Sequence, residues 1–285
     1  MHTKSQRHLR LRTILITVLL FWLTGCVLST DIAPDFEGKE RELAIAASNG
    51  NVKEVARLIE QEGVDPNTIF NETGQWTLLS WALHMGNLDG VRALLESGAD
   101  PNVRTSRVMN GKRLQMNSAM YWATRMRDTR FLELLLQHGG DPNQRTASGS
   151  PLLHEAFLTG NNWENVKLLV KYGADVNEDH HSVGNTILAL YTGRGGFSYA
   201  YWLLQHGADP TLSTDDPRTA KKPVRMMMVE DIYWLMTTPD NLPWQKKCQQ
   251  WLIERGIERP PMPESIRRQR EAFGFPTRED DIPLL

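Results

Sequence analysis

One short phrase occurs five times along the chain, and this repetition constrains the fold more than any other feature. The phrase has the form Leu-Leu-x-x-Gly-Ala-Asp-Pro-Asn with small variations, and its copies are Leu58–Asn67, Leu94–Asn102, Leu135–Asn143, Leu169–Asn177 and Leu203–Pro210. The aspartates of successive copies are 35, 41, 34 and 34 residues apart. A period in this range is typical of a stack of similar units, each packed on its neighbours. The sequence therefore predicts a solenoid.

Each unit has a second sequence motif upstream of the phrase, and the two motifs together predict a pair of helices per unit. The upstream stretches are Glu42–Asn51, Thr77–Asn87, Ser118–Asp128, Pro151–Asn161 and Thr186–Gly196. Most of them have a small residue at the centre, such as Ala82, which lets a neighbouring helix approach closely. The phrase itself ends a second helix with a glycine suited to a left-handed cap, and then continues into a turn.

These two motifs resemble the ankyrin-repeat pattern, in which Thr-Pro-Leu-His-x-Ala begins a helix pair that ends in Leu-Leu-x-x-Gly-Ala-Asp-x-Asn. Pro151–Ala156 and Leu94–Asn102 match this pattern closely. The resemblance implies an all-α ankyrin-repeat solenoid of five helix-pair repeats with turn or hairpin fingers. The implied repeats are residues 39–67, 68–102, 103–143, 144–177 and 178–210. Two residues depart from the pattern: Arg127 replaces the usual glycine, and Tyr191 replaces an alanine, so we expect the helices of the fifth repeat to lie further apart.

The residues after the fifth repeat predict a divergent helical cap. Residues 211–259 contain two stretches, Met226–Met236 and Trp244–Arg255, that we expect to form a helix pair. Terminal repeats need a polar outer face, which explains an atypical sequence. Residues 260–285 are predicted to be a Pro-rich segment followed by a short helix at Ser265–Phe273 and a loose tail. Cys248 lies on an apolar-periodic stretch, which favours a packed thiol over a reactive one.

The first 25 residues have the pattern of a bacterial secretory signal. Basic residues precede a ten-residue, mostly apolar run, Ile14–Leu23, that is too short to span a bilayer. The run leads into Leu23–Cys26, which resembles the lipobox of bacterial lipoproteins. The resemblance implies cleavage before Cys26, lipid on that cysteine and a tether over residues 26–38. An ordinary cleavage site near Cys26 is the alternative. In enterobacterial lipoproteins an Asp after the cysteine favours retention in the inner membrane, so with Val27 at that position the resemblance implies sorting to the outer membrane. We therefore expect a lipid-anchored envelope protein that faces the periplasm.

Charge and motifs argue against several functional classes. The formal net charge of −2 argues against a nucleic-acid binder. The sequence has no Gly-rich phosphate loop, His-Glu-x-x-His motif or nucleophile elbow, so we predict no enzymatic activity, cofactor or metal. His180 and His181 follow Glu178 and Asp179, but their expected place in a turn favours solvated polar residues over a metal site.

The family resemblance also implies where a partner binds. In ankyrin proteins the concave surface is formed by turn tips and by the ends of the first helices. Carried over position by position, the candidates are Trp76, His84, Met85, Asn117, Arg125, Met126, Leu158 and Arg194. The apolar members are expected to be exposed, and Trp and Arg often dominate interfaces. For Trp76 the alternative is an indole folded back on its own turn. Trp81 and Trp122 are predicted to be core residues.

The connection before the third repeat is longer than the others and is predicted to form a basic finger. Residues 103–117 contain no acidic residue, and their basic residues are Arg104, Arg107, Lys112 and Arg113. Asn110-Gly111 is a strong signal for a two-residue hairpin turn. Three roles remain open for this finger: a solvated loop, a docking element for an acidic partner surface, or contact with anionic lipid headgroups.

Two functions remain open from the sequence. Ankyrin-repeat lipoproteins of this build resemble immunity proteins that protect Gram-negative bacteria from envelope-acting toxins, such as phospholipase effectors of type VI secretion. That resemblance implies a dedicated protein partner, a toxin or effector with an acidic surface, and a chain that is monomeric apart from it. The alternative is a general envelope scaffold or assembly factor, since a fold alone does not fix a function.

Overall fold

The computed structural model describes residues 37–69, 76–179, 186–212 and 227–282, and its repeating unit is a pair of helices. The pairs are α1 (Gly38–Ser48) with α2 (Val52–Ala56, continued by a π-helical turn at Arg57–Gln61), α3 (Leu78–Met85) with α4 (Leu88–Glu96), α5 (Ala119–Arg125) with α6 (Thr129–Gln137), α7 (Leu152–Leu158) with α8 (Trp163–Lys171), and α9 (Ile187–Thr192) with α10 (Phe197–Gln205). The predicted all-α solenoid of five helix pairs is confirmed.

A further helix pair continues the stack at its C-terminal end. It consists of α11 (Met227–Trp234) and α12 (Leu242–Glu254), and it is followed by α13 (Glu264–Ala272) and a 3₁₀ turn at Glu279–Asp281. First helices contact one another from α1 through α3, α5, α7 and α9 to α11, while α10 contacts α12. The pair α11–α12 therefore extends both layers of the solenoid, as a capping repeat should.

Small residues set the distance between neighbouring helices. Ala82 and Ala156, at the centres of α3 and α7, are fully buried. In α4, a Cβ added to Gly90 would lie 1.8 Å from the carbonyl oxygen of Ala47, at the end of α1. Only glycine therefore lets the second helix of one repeat rest on the first helix of the preceding repeat.

A ladder of asparagine side chains explains why the phrase is repeated. Asn102 Oδ1 accepts a hydrogen bond from the backbone N–H of Asp141 at 2.8 Å, and its Nδ2 donates to the carbonyl of Gly139 at 2.9 Å. The same two bonds to the following repeat are made by Asn67, Asn143 and Asn177. Each of the first four copies thus supplies one asparagine to the next repeat, and the second to fifth copies each receive one from the repeat before.

Arg127 is tolerated in the third repeat because the chain leaves the first helix in a different way there. After α3 the C-cap residue Gly86 has φ of 71°, a left-handed conformation that favours glycine. After α5 the C-cap residue Met126 is extended, with φ of −73° and ψ of 141°. The backbone therefore does not require glycine at this end of the third repeat.

Tyr191 fills the space between the fourth and fifth repeats. Its side chain is buried, its ring meets the ring of Phe157 edge-on at 4.8 Å, and its hydroxyl donates to Asn161 Oδ1 at 2.6 Å. Burial raises the pKa of the phenol well above its ordinary range. The ring that replaces the usual alanine is thus held by specific contacts, and the wider helix spacing stays a prediction.

The long connection before α5 forms the expected hairpin. Strand β1 (Arg104–Met109) pairs with β2 (Lys112–Ser118) in antiparallel register, with Met109 opposite Lys112. The two turn residues, Asn110 and Gly111, have φ of 51° and 74°, as a primed two-residue turn requires. The predicted hairpin finger is therefore confirmed.

The hairpin is tied at its base to the finger of the fourth repeat. Asn117 Oδ1 accepts from the backbone N–H of Ala147 at 2.6 Å, and the hydroxyl of Ser118 bonds to the side chain of Gln144. Gln144 Nε2 in turn donates to the carbonyl of Asn102 at 3.1 Å. The two strands thus start from an anchored position on the solenoid.

The expectation of a loose tail is wrong for residues 274–282. Arg270 Nε donates to the carbonyl of Pro276 at 2.7 Å, and Arg267 Nη1 donates to that of Thr277 at 2.6 Å. Glu279 Oε1 accepts from the backbone N–H of Met262 at 2.8 Å. Two arginines of α13 and one carboxylate therefore fold this segment back onto the cap.

Cys248 is a packed thiol, as predicted. It is fully buried in α12, with its Sγ 3.5 Å from the carbonyl oxygen of Phe197 in α10. Burial raises the pKa of this thiol to about 12. The side chain therefore stays neutral at physiological pH and helps to join the cap to the fifth repeat.

Several predictions concern residues outside the described ranges. These are the signal segment 1–25, the lipidation of Cys26, most of the tether, and the pair His180 and His181. Within the described ranges, no helix is both long enough and apolar enough to cross a membrane.

Candidate protein-binding surface

Equivalent positions in the repeats can be found by counting from the N-cap of each first helix. The N-caps of α3, α5 and α7 are Thr77, Ser118 and Pro151. Residues four and seven positions later make one surface, which we term the first-helix face together with Trp76 of the adjoining turn. Its members are Trp76, Trp81, His84, Trp122, Arg125, Glu155 and Leu158.

Contacts along the first-helix face follow a regular rule between repeats. Trp81, four residues after its N-cap, donates from Nε1 to the hydroxyl of Ser48 at the end of α1, at 3.0 Å. Glu155, at the same position two repeats later, accepts from Arg125 at the end of α5, at 3.1 Å. In both cases the middle of one first helix therefore contacts the end of the preceding one.

Three tryptophans form an aromatic cluster at the second and third repeats. The indole of Trp76 stacks on that of Trp122, with ring centroids 4.9 Å apart, and meets Trp81 edge-on at 6.2 Å. His84 lies against the same indole at 5.0 Å. All three tryptophans are half-buried, so the cluster packs on the core and still presents aromatic surface to solvent.

The position of Trp76 differs from both alternatives considered for it, an exposed indole and an indole folded back on its own turn. Its indole neither stands free nor lies only on its own turn, because its stacking partner Trp122 belongs to the next repeat. Trp122 Nε1 is buried and has no hydrogen-bond acceptor within the described part of the chain. A buried N–H without an acceptor costs free energy in a folded protein. The aromatic cluster thus contains a hydrogen-bond donor that the described residues leave unsatisfied.

The prediction that Trp81 and Trp122 are core residues is wrong in part. Both pack against the core, but both keep a partly exposed ring on the first-helix face. Their position, four residues after the N-cap, points along the row of first helices toward the preceding repeat. The sequence analysis also did not identify Glu155 as part of this face. Counting four residues from each N-cap would have found Trp81, Trp122 and Glu155.

Arg125 carries the positive charge of the face. Its guanidinium pairs with Glu155, whose side chain is largely buried, and also lies 5.2 Å from the centroid of the Tyr121 ring. The arginine itself is exposed. It is therefore held in a defined orientation by a buried carboxylate, which lowers the entropy lost when a partner binds it.

Other candidates supply exposed surface near this face. Leu158 is 59% exposed and Met85 is 37% exposed, as predicted for both. Arg194 is also exposed, and its guanidinium lies 4.4 Å from the centroid of the Phe157 ring. These side chains extend the surface from the second repeat to the fifth.

Two candidates have mainly structural contacts. The prediction of an exposed Met126 is wrong, because its side chain is half-buried against the core and its carbonyl accepts hydrogen bonds from Asn162 and Asn165. Asn117 is half-buried, and its side-chain oxygen accepts from the backbone of Ala147. Both residues hold neighbouring repeats together.

The basic hairpin begins beside the aromatic cluster, since β2 leads directly into α5. Lys112 is exposed next to the turn, whereas Arg104 is half-buried and donates from Nε to the carbonyl of Met116 at 3.0 Å. Burial lowers the pKa of the Arg104 guanidinium from its ordinary value. The side chains of Arg107 and Arg113 lie outside the described part of the structure. The finger thus combines one structural arginine with an exposed lysine.

Two of the described histidines make hydrogen bonds within their own helical turns. His138 Nδ1 forms a hydrogen bond with the carbonyl oxygen of Leu134 at 2.9 Å, one turn earlier. His206 Nδ1 does the same with the carbonyl oxygen of Trp202 at 2.7 Å. Across the ranges that the structure covers, no group of three His, Cys, Asp or Glu side chains is placed to hold a metal ion.

Comparisons with known proteins agree with this geometry. A family model described as ankyrin repeats in three copies matches residues 23–105 and 111–214. Ankyrin repeat domain-containing protein 40 of Mus musculus is 41% identical over 73 residues, which are 25% of this chain and 20% of that protein. Protein phosphatase 1 regulatory subunit 27 of Homo sapiens is 45% identical over 69 residues, which are 24% of this chain and 44% of that protein. The chain therefore spans less than half the length of these curated relatives.

A solved structure shows the same fold. The ankyrin repeat domain of Bcl-3, a member of the IkappaB protein family, aligns with a TM-score of 0.56 and 24% sequence identity over 79% of this chain and 88% of that one. The structural match shows the fold, and the match to the ankyrin-repeat family supports a protein-binding module. Since the family model covers more than half of the residues, the chain belongs to the ankyrin-repeat family.

Proposed function

We propose that this chain is a lipid-anchored envelope protein whose first-helix face binds and blocks a protein toxin, of the phospholipase type, that acts on the envelope. The signal pattern and the lipobox-like Leu23–Cys26 support an envelope location, the compartment where such a toxin acts. Neutralising an enzyme by covering its active site needs a rigid complementary surface and no chemistry of its own. A solenoid whose repeats are tied by the asparagine ladder meets that need.

The aromatic cluster beside Arg125 is the observation that carries the proposal. Trp and Arg are the residues most enriched among interface hot spots, and both types lie together here on neighbouring first helices. The rings and the guanidinium are already held by Trp122 and Glu155, so little flexibility is lost on binding. The basic hairpin next to them favours a partner with an acidic surface and speeds its approach.

One relative supports binding to an enzyme as a means of control. Protein phosphatase 1 regulatory subunit 27 is named as a regulatory subunit, and its similarity extends over 69 residues of this chain. We carry over only the kind of action, a non-catalytic chain bound to an enzyme.

The test is binding and inhibition with purified envelope-acting phospholipase effectors of type VI secretion. We expect the full chain to bind such an effector and to stop hydrolysis of phospholipid vesicles. Replacing Trp76 and Arg125 together by alanine should weaken binding about 10- to 100-fold, which is the range for losing one or two hot-spot side chains. Arg92→Ala, at an exposed position on the second helix α4, is the matched control and should bind normally.

The outcomes separate this proposal from the alternative. Tight binding without inhibition would favour a scaffold or assembly factor that uses the same face. Absence of binding to such effectors, with the protein folded, would overturn the immunity function. A large loss of thermal stability in the double variant would instead assign Trp76 mainly to packing.

The anchor is tested separately from the partner. With Cys26→Ser we expect loss of lipid attachment and of signal cleavage at that site, because the sulfur that receives the lipid is gone. Mass spectrometry and membrane fractionation measure this directly. Unchanged mass and unchanged membrane association would reject the lipoprotein assignment and leave the binding surface unaffected.

A further inference from the structure

The C-terminal cap contains a cavity of about 250 Å³ that the proposed function does not use. It lies between the end of α11, the first half of α12, α13 and the folded-back tail. Much of its wall is apolar, contributed by Leu235, Met236, Leu242, Phe275 and Ile282. Leu242 and Phe275 are each 44% exposed, so the apolar wall continues to the molecular surface. A cavity of this size and lining suits one small apolar ligand.

Arg270 adds a single charge to this wall. The residue is only 7% exposed, and its Nε and Nη1 donate to the carbonyls of Pro276 and Trp234, at 2.7 and 3.0 Å. Both partners are neutral, and no carboxylate of the described residues lies within 4.0 Å of the guanidinium. Burial lowers the pKa of Arg270, and no acidic group offsets that effect.

A buried guanidinium without a counter-charge strongly favours an anion of matching shape. A carboxylate offers that shape, because its two oxygens accept parallel hydrogen bonds from the guanidinium fork. No hydrogen-bond partner of Arg270 Nη2 is found within the described residues. The apolar wall and this cation thus define the two ends of a ligand.

We propose that the cap cavity binds a small monocarboxylate with an apolar chain, of the kind that a medium-chain fatty acid presents. The carboxylate pairs with Arg270, and the chain lies along Met236 and Leu242. This site is in the cap, whereas the first-helix face spans the second to fourth repeats. The proposal of ligand binding and the proposed function can therefore be tested independently.

The experiment compares three ligands with the same eight-carbon body on the full chain. Octanoate and octylammonium are titrated separately to about 10 mM, and octanol to its limit of solubility, with binding followed by ligand-observed NMR. We expect octanoate to bind in the millimolar range or tighter, and at least about tenfold more tightly than octylammonium, because only the anion matches Arg270. Equal binding of all three would overturn the role of the guanidinium, and absence of octanoate binding would overturn the site.

A matched pair of variants locates the site without disturbing Arg270. Thr237 lines the cavity, whereas its exposed neighbour Thr238 does not. Thr237→Trp should fill the cavity and reduce octanoate affinity at least about tenfold, while Thr238→Trp should leave it unchanged. Equal loss in both, or in neither, would contradict the assignment. Melting curves of both variants confirm that the cap stays folded.

Discussion

Asn102 shows how a single side chain connects two repeats. Its amide uses both ends, accepting from Asp141 and donating to Gly139, so that the turn of the third repeat is fixed by a residue of the second. A helix pair buries too little surface alone, so stability in such stacks resides in the contacts between neighbours. The asparagine ladder is one of those contacts.

We predict that Asn102→Ala destabilises the protein by about 1–2 kcal/mol, because two hydrogen bonds between repeats are lost. Urea unfolding monitored by circular dichroism measures the change. Asn49→Ala is the control, since Asn49 is exposed and the structure records no side-chain hydrogen bond for it. An equal effect of both substitutions would show that the ladder contributes nothing beyond an ordinary surface asparagine.

A second residue-scale prediction concerns Gly90. Alanine is the better helix former by about 1 kcal/mol, so helix propensity alone would make Gly90→Ala stabilising. The added Cβ would lie 1.8 Å from the carbonyl oxygen of Ala47, which is backbone and cannot turn aside. We therefore expect a net loss of about 1–3 kcal/mol from overpacking. Calorimetric melting measures it, with Arg92→Ala in the same helix as control; a stabilised Gly90→Ala protein would contradict the close contact.

At the scale of elements, the hairpin is held by its turn and by its anchored base. Gly111 has φ of 74°, in the left-handed region that β-branched residues avoid. We predict that Gly111→Val weakens the β1–β2 ladder by about 1–2 kcal/mol and leaves the melting temperature of the helical stack nearly unchanged. Amide hydrogen exchange of the strand residues is the measurement. Asn110→Gly should keep the ladder intact, because glycine accepts the φ of 51° found at that position.

An element can be predicted from the sequence when the residues that form it are close together along the chain. Asn110-Gly111 predicts the hairpin because a primed turn needs only two suitable residues in succession. The repeat boundaries follow from Gly-Ala-Asp-x-Asn for the same local reason. The exposure of Trp81 could not be predicted in this way, since it depends on Ser48 in another repeat.

The C-terminal tail shows the same limit. Pro276 and Thr277 look like loop residues, and their order comes from arginine side chains of α13 that bind their carbonyls. Arginine is usually a surface residue, so composition alone favours a solvated helix there. Burial of Arg270 is visible only once the cap is assembled.

At the scale of the whole molecule, the cap is joined to the repeats by contacts of a different kind from the ladder. Thr211 stands where earlier repeats have asparagine, and its hydroxyl bonds to Asp209 in its own turn. The cap is instead held by helix packing, with Cys248 of α12 buried against Phe197 of α10. Disturbing this junction should therefore affect the C-terminal end of the stack first.

Alkaline pH provides such a disturbance, since burial raises the pKa of Cys248 to about 12. The unfolded thiol ionises near pH 8.5, so above that pH the unfolded chain loses its proton while the folded protein keeps it. The thiol thus contributes its full stability below about pH 8.5, and that contribution falls as pH rises toward 12, by up to roughly 1.4 kcal/mol per pH unit. We predict that Cys248→Ala, which has no thiol to ionise, loses less stability than the parent protein between pH 8.5 and pH 11. Denaturant unfolding at several pH values measures both slopes, and the buried tyrosines, which are common to both proteins, cancel in the difference. Identical slopes would mean that the thiol reaches water in the folded state and that the junction between α10 and α12 is open.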